Sequence, residues 1–300
     1  MIKEENIIDI SIVIPSYNRG TVVAENIIKC LALQPKAREI ILVDDHSNAE
    51  SELILRKLAE EHHSVCYIRL PENGGQAVSR SVGLATANGK YIISLDDDSW
   101  FLDNDGLQQV WDRMEELPNC GLLAFAIFSP DYPEKPGENR LMLVADHITC
   151  GAAYRTDLLR RIGYHLGFLR FEGEESDLSL KVMGNDQDIV LDENIRVFHD
   201  YDSSKRSKES LKRVRKFAVR NDMLRSIIYF PFPLNFFLSI GKAISHLIFG
   251  LKYGYIWTTF LGYGGFIRLL SVALTKRHPL SIVAAKRYLQ LRRKPEPYQP

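Results

Sequence analysis

The segment Lys90-Tyr-Ile-Ile-Ser-Leu-Asp-Asp-Asp98 runs from an apolar stretch directly into three consecutive carboxylates. The apolar part is typical of a buried β-strand, so Asp96, Asp97 and Asp98 are expected at the carboxyl end of that strand. Adjacent carboxylates repel one another and raise each other's pKa, so an ionised triplet requires a divalent cation, basic neighbours or full solvation. Hard oxygen ligands favour Mg²⁺ or Mn²⁺, which usually bind together with phosphates. A solvated acidic turn is the alternative interpretation.

Similar apolar runs recur through the first 150 residues and alternate with segments of helical periodicity. The runs cover residues 10–14, 39–43, 65–70, 90–95 and 121–128, and the helical segments include 22–33 and 76–87. This alternation predicts an α/β fold, Rossmann-like, with a mostly parallel sheet and helices on both faces. Two further strands are predicted at residues 148–154 and 188–198, with a helix at 174–183 between them.

Ligands of open α/β sheets bind at the carboxyl ends of the strands, where four polar segments of this chain are expected to converge. These segments are residues 15–19, 44–47, 73–75 and 96–98. Tyr17 is placed to stack on a nucleobase, or else is a half-buried loop tyrosine. Asp44 and Asp45 could accept hydrogen bonds from a base or a ribose, unless Asp45 caps the following helix.

The third loop, Asn73-Gly74-Gly75, precedes a predicted helix and therefore offers backbone N–H groups to a diphosphate. Arg80 on that helix would add a charged contact to a phosphate, and a surface arginine without such a role is the alternative.

The two parts of the chain carry opposite charge, although the formal net charge of the 300 residues is zero. Residues 203–300 contain 19 Lys and Arg against 3 Asp and Glu, which leaves 19 against 35 for residues 1–202. A basic part favours an anionic membrane or a nucleic acid as partner, whereas the acidic part argues against a nucleic-acid groove. Mutual neutralisation of the two parts is the alternative. No nucleic-acid readout motif is evident, so no nucleic-acid partner is predicted.

The four cysteines, at positions 30, 66, 120 and 150, follow no metal-ligand spacing and are expected to be reduced core residues. The first residues are polar and acidic rather than typical of a signal peptide, so a cytoplasmic location is expected.

The sequence changes character near residue 202, which predicts one domain at 1–202 and a helical region at 203–300. Residues 205–225 are predicted to form a basic amphipathic helix. The apolar segments 226–240 and 255–274 are each interrupted or short, so neither is predicted to span a bilayer. Basic helices with interleaved aromatic residues favour peripheral binding at the inner face of the cell membrane. A buried helical subdomain or a homodimer interface is the alternative.

Five motifs in this order resemble those of glycosyltransferase family 2 and cover roughly residues 8–225. They are Ser11-Ile-Val-Ile-Pro-Ser-Tyr-Asn-Arg19, Ile41-Leu-Val-Asp-Asp-His-Ser47, Asn73-Gly-Gly75 followed by Arg80 and Gly83, Leu95-Asp-Asp-Asp98, and Glu174-Glu-Ser-Asp-Leu178. The resemblance implies a GT-A fold with a nucleotide-sugar half and an acceptor half. It also implies that Pro15, Tyr17 and Asp45 hold the base, with Asp44 as a neighbouring candidate.

The same resemblance assigns the remaining site residues. Asp96 would contact the ribose or a metal-bound phosphate, Asp98 would ligate Mn²⁺ or Mg²⁺, and His199 would complete the metal site, unless it is a packed or surface histidine. The candidate nucleotide-binding residues are Pro15, Tyr17, Arg19, Asp44, Asp45, Gly74, Gly75, Arg80, Asp96 and Asp97, and the candidate metal ligands are Asp96, Asp98 and His199. Arg220-Asn221 resembles a pair that closes the site near the diphosphate, and a surface salt bridge is the alternative.

Transfer to a hydroxyl requires a base, and the acidic segment Gly173-Glu-Glu-Ser-Asp-Leu178 is expected to open a helix whose dipole favours ionised carboxylates. The family usually carries Asp where this chain has Glu175. We expect Glu175 to be the base, with Glu174 and Asp177 as the other candidates, and a helix-capping cluster is the alternative.

These observations favour a metal-dependent, membrane-associated enzyme of polysaccharide or cell-envelope biosynthesis. It would move a sugar from a UDP, dTDP or GDP donor to a hydroxyl of a glycan or lipid-linked precursor, with inversion. A polyprenyl-phosphate glycosyltransferase and a non-catalytic nucleotide-binding membrane scaffold are the alternatives.

Overall fold

The computed structural model describes residues 6–133, 140–202 and 207–298, which form one sheet flanked by helices. The strands are β1 (Ile7–Ser16), β2 (Lys36–Asp44), β3 (Val65–Arg69), β4 (Tyr91–Leu95), β5 (Ser99–Phe101), β6 (Cys120–Phe128), β7 (Leu141–Leu143), β8 (Gly151–Arg155), β9 (Asp188–His199) and β10 (Glu296–Pro297). The helices are α1 (Gly20–Ala32), α2 (Ala49–Glu61), α3 (Gln76–Thr86), α4 (Gly106–Glu116), α5 (Thr156–Ile162), α6 (Glu174–Gly184), α7 (Lys208–Tyr229), α8 (Leu234–Tyr253), α9 (Ile256–Thr275) and α10 (Ile282–Arg293).

The strand order is β10-β7-β9-β6-β8-β4-β1-β2-β3, and β5 pairs with β9. The strands β4, β1, β2 and β3 are parallel, as predicted. However, β8 lies antiparallel between β4 and β6, and β5, β7 and β10 also pair antiparallel with their neighbours. The sheet is therefore mixed rather than mostly parallel.

Two apolar cores cover the faces of the sheet. On one face Val23, Leu55 and Val110 from α1, α2 and α4 pack against the strands. On the other face Leu84, Leu178 and Tyr288 from α3, α6 and α10 do the same. Most residues of β1, β2 and β4 are buried, because both faces of these strands are covered, which explains their continuous apolar sequence.

The register of the parallel strands brings their carboxyl ends to one rim. Ser16 at the end of β1 pairs with Asp44 at the end of β2, and Val13 pairs with Ser94 of β4. The loops that follow β1, β2 and β4 therefore start side by side, as the sequence predicted.

The carboxy-terminal region differs from the prediction in its helix boundaries. The predicted basic helix begins within residues 203–206, which lie outside the described residues, and its described part continues to Tyr229. Pro231 and Pro233 lie in the connection that follows, so the predicted segment 226–240 is divided between α7 and α8. The predicted boundary at residue 202 adjoins the undescribed residues and stays a prediction.

We expected neither apolar segment to be able to span a bilayer, but by length and composition alone two helices could do so. Helices α8 and α9 each have 20 residues, with mean hydropathies of 1.4 and 1.2, and only 17% and 22% of these stretches is buried. Gly254, with φ of 75°, joins them as a hairpin. The exposed apolar side chains argue against the alternative of a buried subdomain, and they make the hairpin a candidate for membrane association.

Candidate active site

A pocket of about 390 Å³ lies at the rim formed by the ends of β1, β2 and β4. The predicted site residues that line it are Pro15, Tyr17, Arg19, Asp45, Gly75, Asp96, Asp97, Asp98 and His199. Asp44, Gly74, Arg80, Glu174, Glu175 and Asp177 were also predicted but are not among its lining residues. The four predicted loops therefore converge, although not every predicted side chain points into the pocket.

Tyr17 lies at the mouth of this pocket, and 47% of it is exposed. The loop that carries it is fixed from both ends, because Asn18 N–H donates to Ser47 Oγ at 2.8 Å and Asn48 N–H donates to Asn18 Oδ1 at 2.7 Å. Asn18 adopts the left-handed conformation with φ of 56°. The ring is therefore accessible on a well-anchored loop, as stacking on a base requires.

Asp45 is almost fully buried and accepts three hydrogen bonds from the third loop. The backbone N–H groups of Gly74 and Gly75 donate to its carboxylate at 2.7 and 2.9 Å, and the side chain of Asn73 donates at 2.9 Å. These glycine N–H groups are thus directed at Asp45, which contradicts their predicted availability to a diphosphate. The helix-capping alternative for Asp45 is also wrong, because Asn48 caps α2 through Ser51 N–H at 2.9 Å.

Asp44 does not face the pocket, which corrects its prediction as a nucleotide contact. Its buried carboxylate accepts hydrogen bonds from Ser47 N–H at 2.8 Å, Tyr67 Oη at 2.7 Å and Arg69 Nη1 at 2.6 Å. Burial raises the pKa of Asp44, but these donors outweigh it and lower the pKa below the ordinary value. Asp44 therefore stabilises the β2–α2 turn.

The acidic triplet is held by arginine in the described structure. Arg19 Nη1 lies 2.5 Å from Asp97 Oδ1 and 2.8 Å from Asp98 Oδ2. Burial raises the pKa of Asp97 to about 7, with neighbouring Asp98 and Asp96 adding to the rise against the charge of Arg19. Asp97 and Asp98 are buried as well as paired with Arg19, which rules out the alternative of a fully solvated acidic turn.

The predicted metal ligands lie together on this rim. His199 Nε2 is 3.1 Å from Asp98 Oδ1 and 3.7 Å from Asp96 Oδ2. The hydrogen bond to Asp98 and the charges of all three aspartates outweigh burial and raise the pKa of His199. Cys150 also lies near Asp96 and His199, with the candidate ligand atoms within 4.8 Å of one another, but burial keeps the pKa of its thiol well above 9.0.

Carboxylate oxygens and an imidazole suit a hard divalent cation, and Asp98 adjoins the grouped atoms of Asp96 and His199 through its contact of 3.1 Å with His199. We therefore conclude that Asp96, Asp98 and His199 fit Mn²⁺ or Mg²⁺, whereas the protonated Cys150 does not add to the ligand set.

Arg80 is fully buried, which corrects its predicted contact with a phosphate. Its Nη2 lies 2.6 Å from Asp96 Oδ1, and its Nη1 donates to Ser94 Oγ at 2.5 Å. Arg80 is therefore neither a surface residue nor a pocket residue. Its buried guanidinium holds the carboxylate of Asp96 in place from the interior of the protein.

The acidic segment opens α6, as predicted, but its three carboxylates are in different environments. Asp177 is fully buried and accepts hydrogen bonds from Tyr229 Oη, Leu166 N–H at 2.8 Å and Lys181 Nζ at 3.3 Å, so its candidacy as the base is contradicted. Burial raises the pKa of Glu174 well above its ordinary value, and Glu174 Oε2 has no partner among the described residues. Glu175 is half-buried, and burial raises its pKa as well.

Arg220 and Asn221 anchor the segment before α6 instead of approaching a diphosphate. Arg220 Nη2 donates to the carbonyl of Leu169 at 2.7 Å, and Asn221 Nδ2 donates to the carbonyls of Leu169 and Phe171 at 3.0 and 2.9 Å. Both residues are buried, so the alternative interpretation of a salt bridge at the surface is also wrong. The pair fixes the loop that leads to the acidic helix.

Five residues that line the pocket lie outside every predicted motif: Gln76, Ser79, Phe171, Tyr201 and Arg213. Phe171 belongs to the loop before α6 and Arg213 belongs to α7, so both elements contribute to the pocket. Arg213 is one of many basic residues of its helix, and Phe171 belongs to no predicted motif, so no sequence signal distinguished them.

Comparison with known proteins agrees with this geometry. The family model of glycosyl transferase family 2 matches residues 11–170, which is more than half of the chain. An uncharacterised glycosyltransferase of Haemophilus influenzae is 36% identical over 100 residues, covering 33% of this chain and 40% of that protein. The putative teichuronic acid biosynthesis glycosyltransferase TuaG of Bacillus subtilis is 33% identical over 95 residues, covering 31% of this chain and 38% of that protein. The chain thus spans less than half the length of these two relatives.

Among solved structures, the mannosyltransferase PcManGT from Pyrobaculum calidifontis, in complex with GDP-Man and Mn²⁺, is similar in fold. Its TM-score is 0.58 at 15% identity, and the match covers 94% of this chain and 79% of that one. The predicted GT-A fold is confirmed by this likeness. The family match over residues 11–170 shows that the chain belongs to glycosyl transferase family 2.

Proposed function

We propose that the chain transfers a sugar from a nucleotide-diphosphate sugar to a hydroxyl of a glycan or lipid-linked envelope precursor, with Mn²⁺ or Mg²⁺ bound. One observation carries the proposal: Asp96, Asp98 and His199 meet in the same pocket as Tyr17 and Asp45. A volume of about 390 Å³ is within the range of small-ligand sites. The GDP-Man and Mn²⁺ in the complex of PcManGT support this ligand class.

Each side of the pocket has a separate task in this reaction. Tyr17 would stack on the base and Asp45, held rigid by three donors, would accept a hydrogen bond from the base or ribose. Asp96, Asp98 and His199 would hold the cation, which offsets the charge of the departing diphosphate when bound. Arg19, which already contacts Asp97 and Asp98, lies where it could contact the diphosphate.

The base would come from the N-terminus of α6. Burial raises the pKa of Glu175 towards the range in which a carboxylate accepts a proton effectively at neutral pH. A base on the acceptor side is consistent with direct displacement and inversion.

The hairpin of α8 and α9 supports a location at the membrane surface. Its exposed apolar residues include Phe237, Trp257 and Ile267, and basic residues such as Lys252 and Arg268 lie on the same two helices. Such a surface suits binding to the anionic inner face of the cell membrane, where envelope precursors of the kind suggested by the name of TuaG would be reached.

A panel of nucleotides tests the donor site directly. Thermal unfolding of the full chain with UDP, GDP, dTDP and CMP, each with and without Mn²⁺, is expected to show stabilisation by one nucleoside diphosphate that increases with Mn²⁺. CMP serves as the control for a nucleotide without a diphosphate. If no nucleotide stabilises the protein with either Mn²⁺ or Mg²⁺, the proposed function is wrong.

A second candidate, transfer to a polyprenyl phosphate, is favoured by one observation. Neither Glu174 nor Glu175 is among the described residues that line the pocket, and a phosphate acceptor needs no strong base. The substitution Glu175→Gln separates the two candidates, because only transfer to a hydroxyl needs this base.

A further inference from the structure

A line of arginine and aromatic side chains leads from the pocket towards the apolar hairpin. Arg213 of α7 lines the pocket, and its guanidinium lies over the ring of Phe171, 5.4 Å from the ring centroid. Phe171 contacts Phe217 edge-on at 6.2 Å, and the guanidinium of Arg220 lies 4.5 Å from the centroid of Phe217. The alternation of cations and rings is continuous over this stretch of α7.

The line continues onto α9. A Cβ atom added at Gly265 would lie 3.1 Å from Arg220 Cδ, so the backbone of α9 packs directly on this arginine. Arg268 follows one turn later on the same helix. Burial lowers the pKa of Arg220 to about 10, with the positive charges of Arg170 and Arg268 adding to the effect. Positive charge therefore accumulates between the pocket and the hairpin.

We call Arg170, Arg213 and Arg268 the arginine ridge. All three side chains are exposed, and none has a carboxylate within ion-pair distance in the described part of the chain. Arg170 donates only to the carbonyl of Asn73, at 2.8 Å. Elsewhere around the site arginines are paired, as Arg80 is with Asp96 at 2.6 Å. Clustered arginines without acidic partners are suited to bind a phosphate group.

The position of the ridge indicates which phosphate it binds. The donor diphosphate is expected at the acidic triplet, whereas the ridge extends from Arg213 in the pocket to Arg268, next to Ile267, which is 70% exposed on the hairpin. A ligand that contacts both ends must join an apolar chain to the pocket. Resting on the proposed function, we propose that the arginine ridge binds the phosphate or diphosphate that links the acceptor to its lipid.

Calorimetric titration of the full chain with farnesyl diphosphate tests this subsite without any donor. The variants Arg213→Gln and Arg268→Gln are each expected to weaken the affinity by about tenfold, because each removes a charged hydrogen bond to phosphate. Farnesol, which lacks phosphate, should bind equally to the variants and the unmodified chain. The control Lys276→Gln removes the same charge from the end of α9 and should leave farnesyl diphosphate binding unchanged.

Three outcomes would overturn the proposal. The first is unchanged binding of farnesyl diphosphate by both variants. The second is an equal loss of affinity for the nucleoside diphosphate, which would assign the ridge to the donor. The third concerns flotation of the two variants on two kinds of vesicle, one of phosphatidylglycerol and one of phosphatidylcholine that contains polyprenyl diphosphate. If the variants lose flotation equally on both kinds, the ridge is a general anionic-lipid surface. If the nucleotide panel fails while farnesyl diphosphate still binds through the ridge, the proposed transfer is wrong and the phosphate site remains.

Discussion

At the residue scale, Asp96 is the side chain on which the arrangement of the rim depends. Arg80 binds it from beneath at 2.6 Å, and His199 approaches it from β9 at 3.7 Å. A buried arginine fixes the carboxylate without occupying the pocket, so one oxygen of Asp96 is held while the other faces His199. The oxygen that faces His199 is therefore the one that could ligate a cation.

His199 is expected to matter for the metal more than for the nucleotide. His199→Ala removes one of three candidate ligands, so Mn²⁺ affinity should fall by roughly tenfold or more, whereas nucleotide affinity measured without metal should change little. Isothermal titration of Mn²⁺ and of the nucleotide separately would measure both effects. His63→Ala, at an exposed histidine far from the rim in sequence, is the control, and an unchanged Mn²⁺ titration for His199→Ala would exclude the metal role.

Glu175 decides between the two candidate acceptors. Glu175→Gln keeps the shape of the side chain but removes its proton-accepting capacity, so transfer to a hydroxyl should slow by about 10²–10⁴-fold. Nucleotide stabilisation should persist, because Glu175 does not line the pocket. Single-turnover transfer with the variant would measure the effect, and near-full activity would favour the polyprenyl-phosphate acceptor.

At the element scale, α7 fixes the start of the acidic helix α6. Arg225 Nη1 donates to the carbonyl of Gly173 at 2.5 Å and also pairs with Asp222, which binds Lys242 and His246 of α8 at 3.1 Å each. The apolar hairpin is thereby connected through α7 to the residue before Glu174. The position of the candidate base thus depends on the helical region as well as on the sheet.

Gly173→Ala tests this connection. Gly173 has φ of 85°, and a Cβ there would lie 1.7 Å from Arg225 Nη1, so the substitution should cost more than the roughly 1–2 kcal/mol of left-handed alanine alone and should slow transfer. Gly254→Ala is the matched control, because Gly254 has the same left-handed backbone, with φ of 75° and ψ of 21°, but no atom within 4 Å of the added Cβ. Chemical denaturation and transfer assays of both variants would measure the difference, and equal losses in the two would contradict the role of Arg225.

The hairpin of α8 and α9 is expected to hold the protein on anionic vesicles. Trp257→Glu and Ile267→Glu place a charge on side chains that are 73% and 70% exposed on the hairpin, so flotation with phosphatidylglycerol vesicles should fall strongly. Leu53→Glu, at a 70% exposed leucine of α2, is the matched control and should float normally. Flotation of the unmodified chain should also weaken at high salt. If the full chain does not float with the vesicles at either low or high salt, the membrane proposal is refuted.

At the scale of the whole molecule, the parallel strands β1 to β4 and their common rim were predictable because they follow from strand periodicity and strand ends, whereas the meeting of Asp98 with His199 was implied only by the family resemblance. The roles of Asp44, Gly74 and Arg80 were not predictable from the sequence, because they depend on contacts between loops. Asp45, for example, takes the N–H groups of Gly74 and Gly75, which lie 29 and 30 positions away. Sequence patterns identify which residues reach the rim, whereas the direction of each side chain depends on tertiary partners that no short motif contains.

The opposite charges of the two parts are joined mainly through α10. Arg287 lies 2.6 Å from Asp188, and Arg292 lies 3.8 Å from Asp146. The alternative of mutual neutralisation therefore applies to this helix. The arginine ridge, which lies on α7, on α9 and in the loop before α6, has no acidic partner within the described residues. Much of the basic surface thus remains available to an anionic partner.

The stability of the folded protein should fall with acid because of His147. This buried histidine accepts or donates hydrogen bonds with Ser179 Oγ at 2.9 Å and Tyr154 Oη at 2.8 Å, and burial, with the charge of Arg80, lowers its pKa from 6.5 to about 3. Between these values the unfolded chain binds a proton that the folded chain does not, so stability is full above pH 6.5 and falls as the pH decreases towards 3. This group contributes at most about 1.4 kcal/mol per pH unit to the pH dependence of the unfolding free energy.

The variant His147→Gln should be less stable at neutral pH, but its unfolding free energy should fall less steeply with acid in denaturant titrations. The control His63→Gln should keep the original slope. Equal slopes for both variants would exclude His147 as the titrating group.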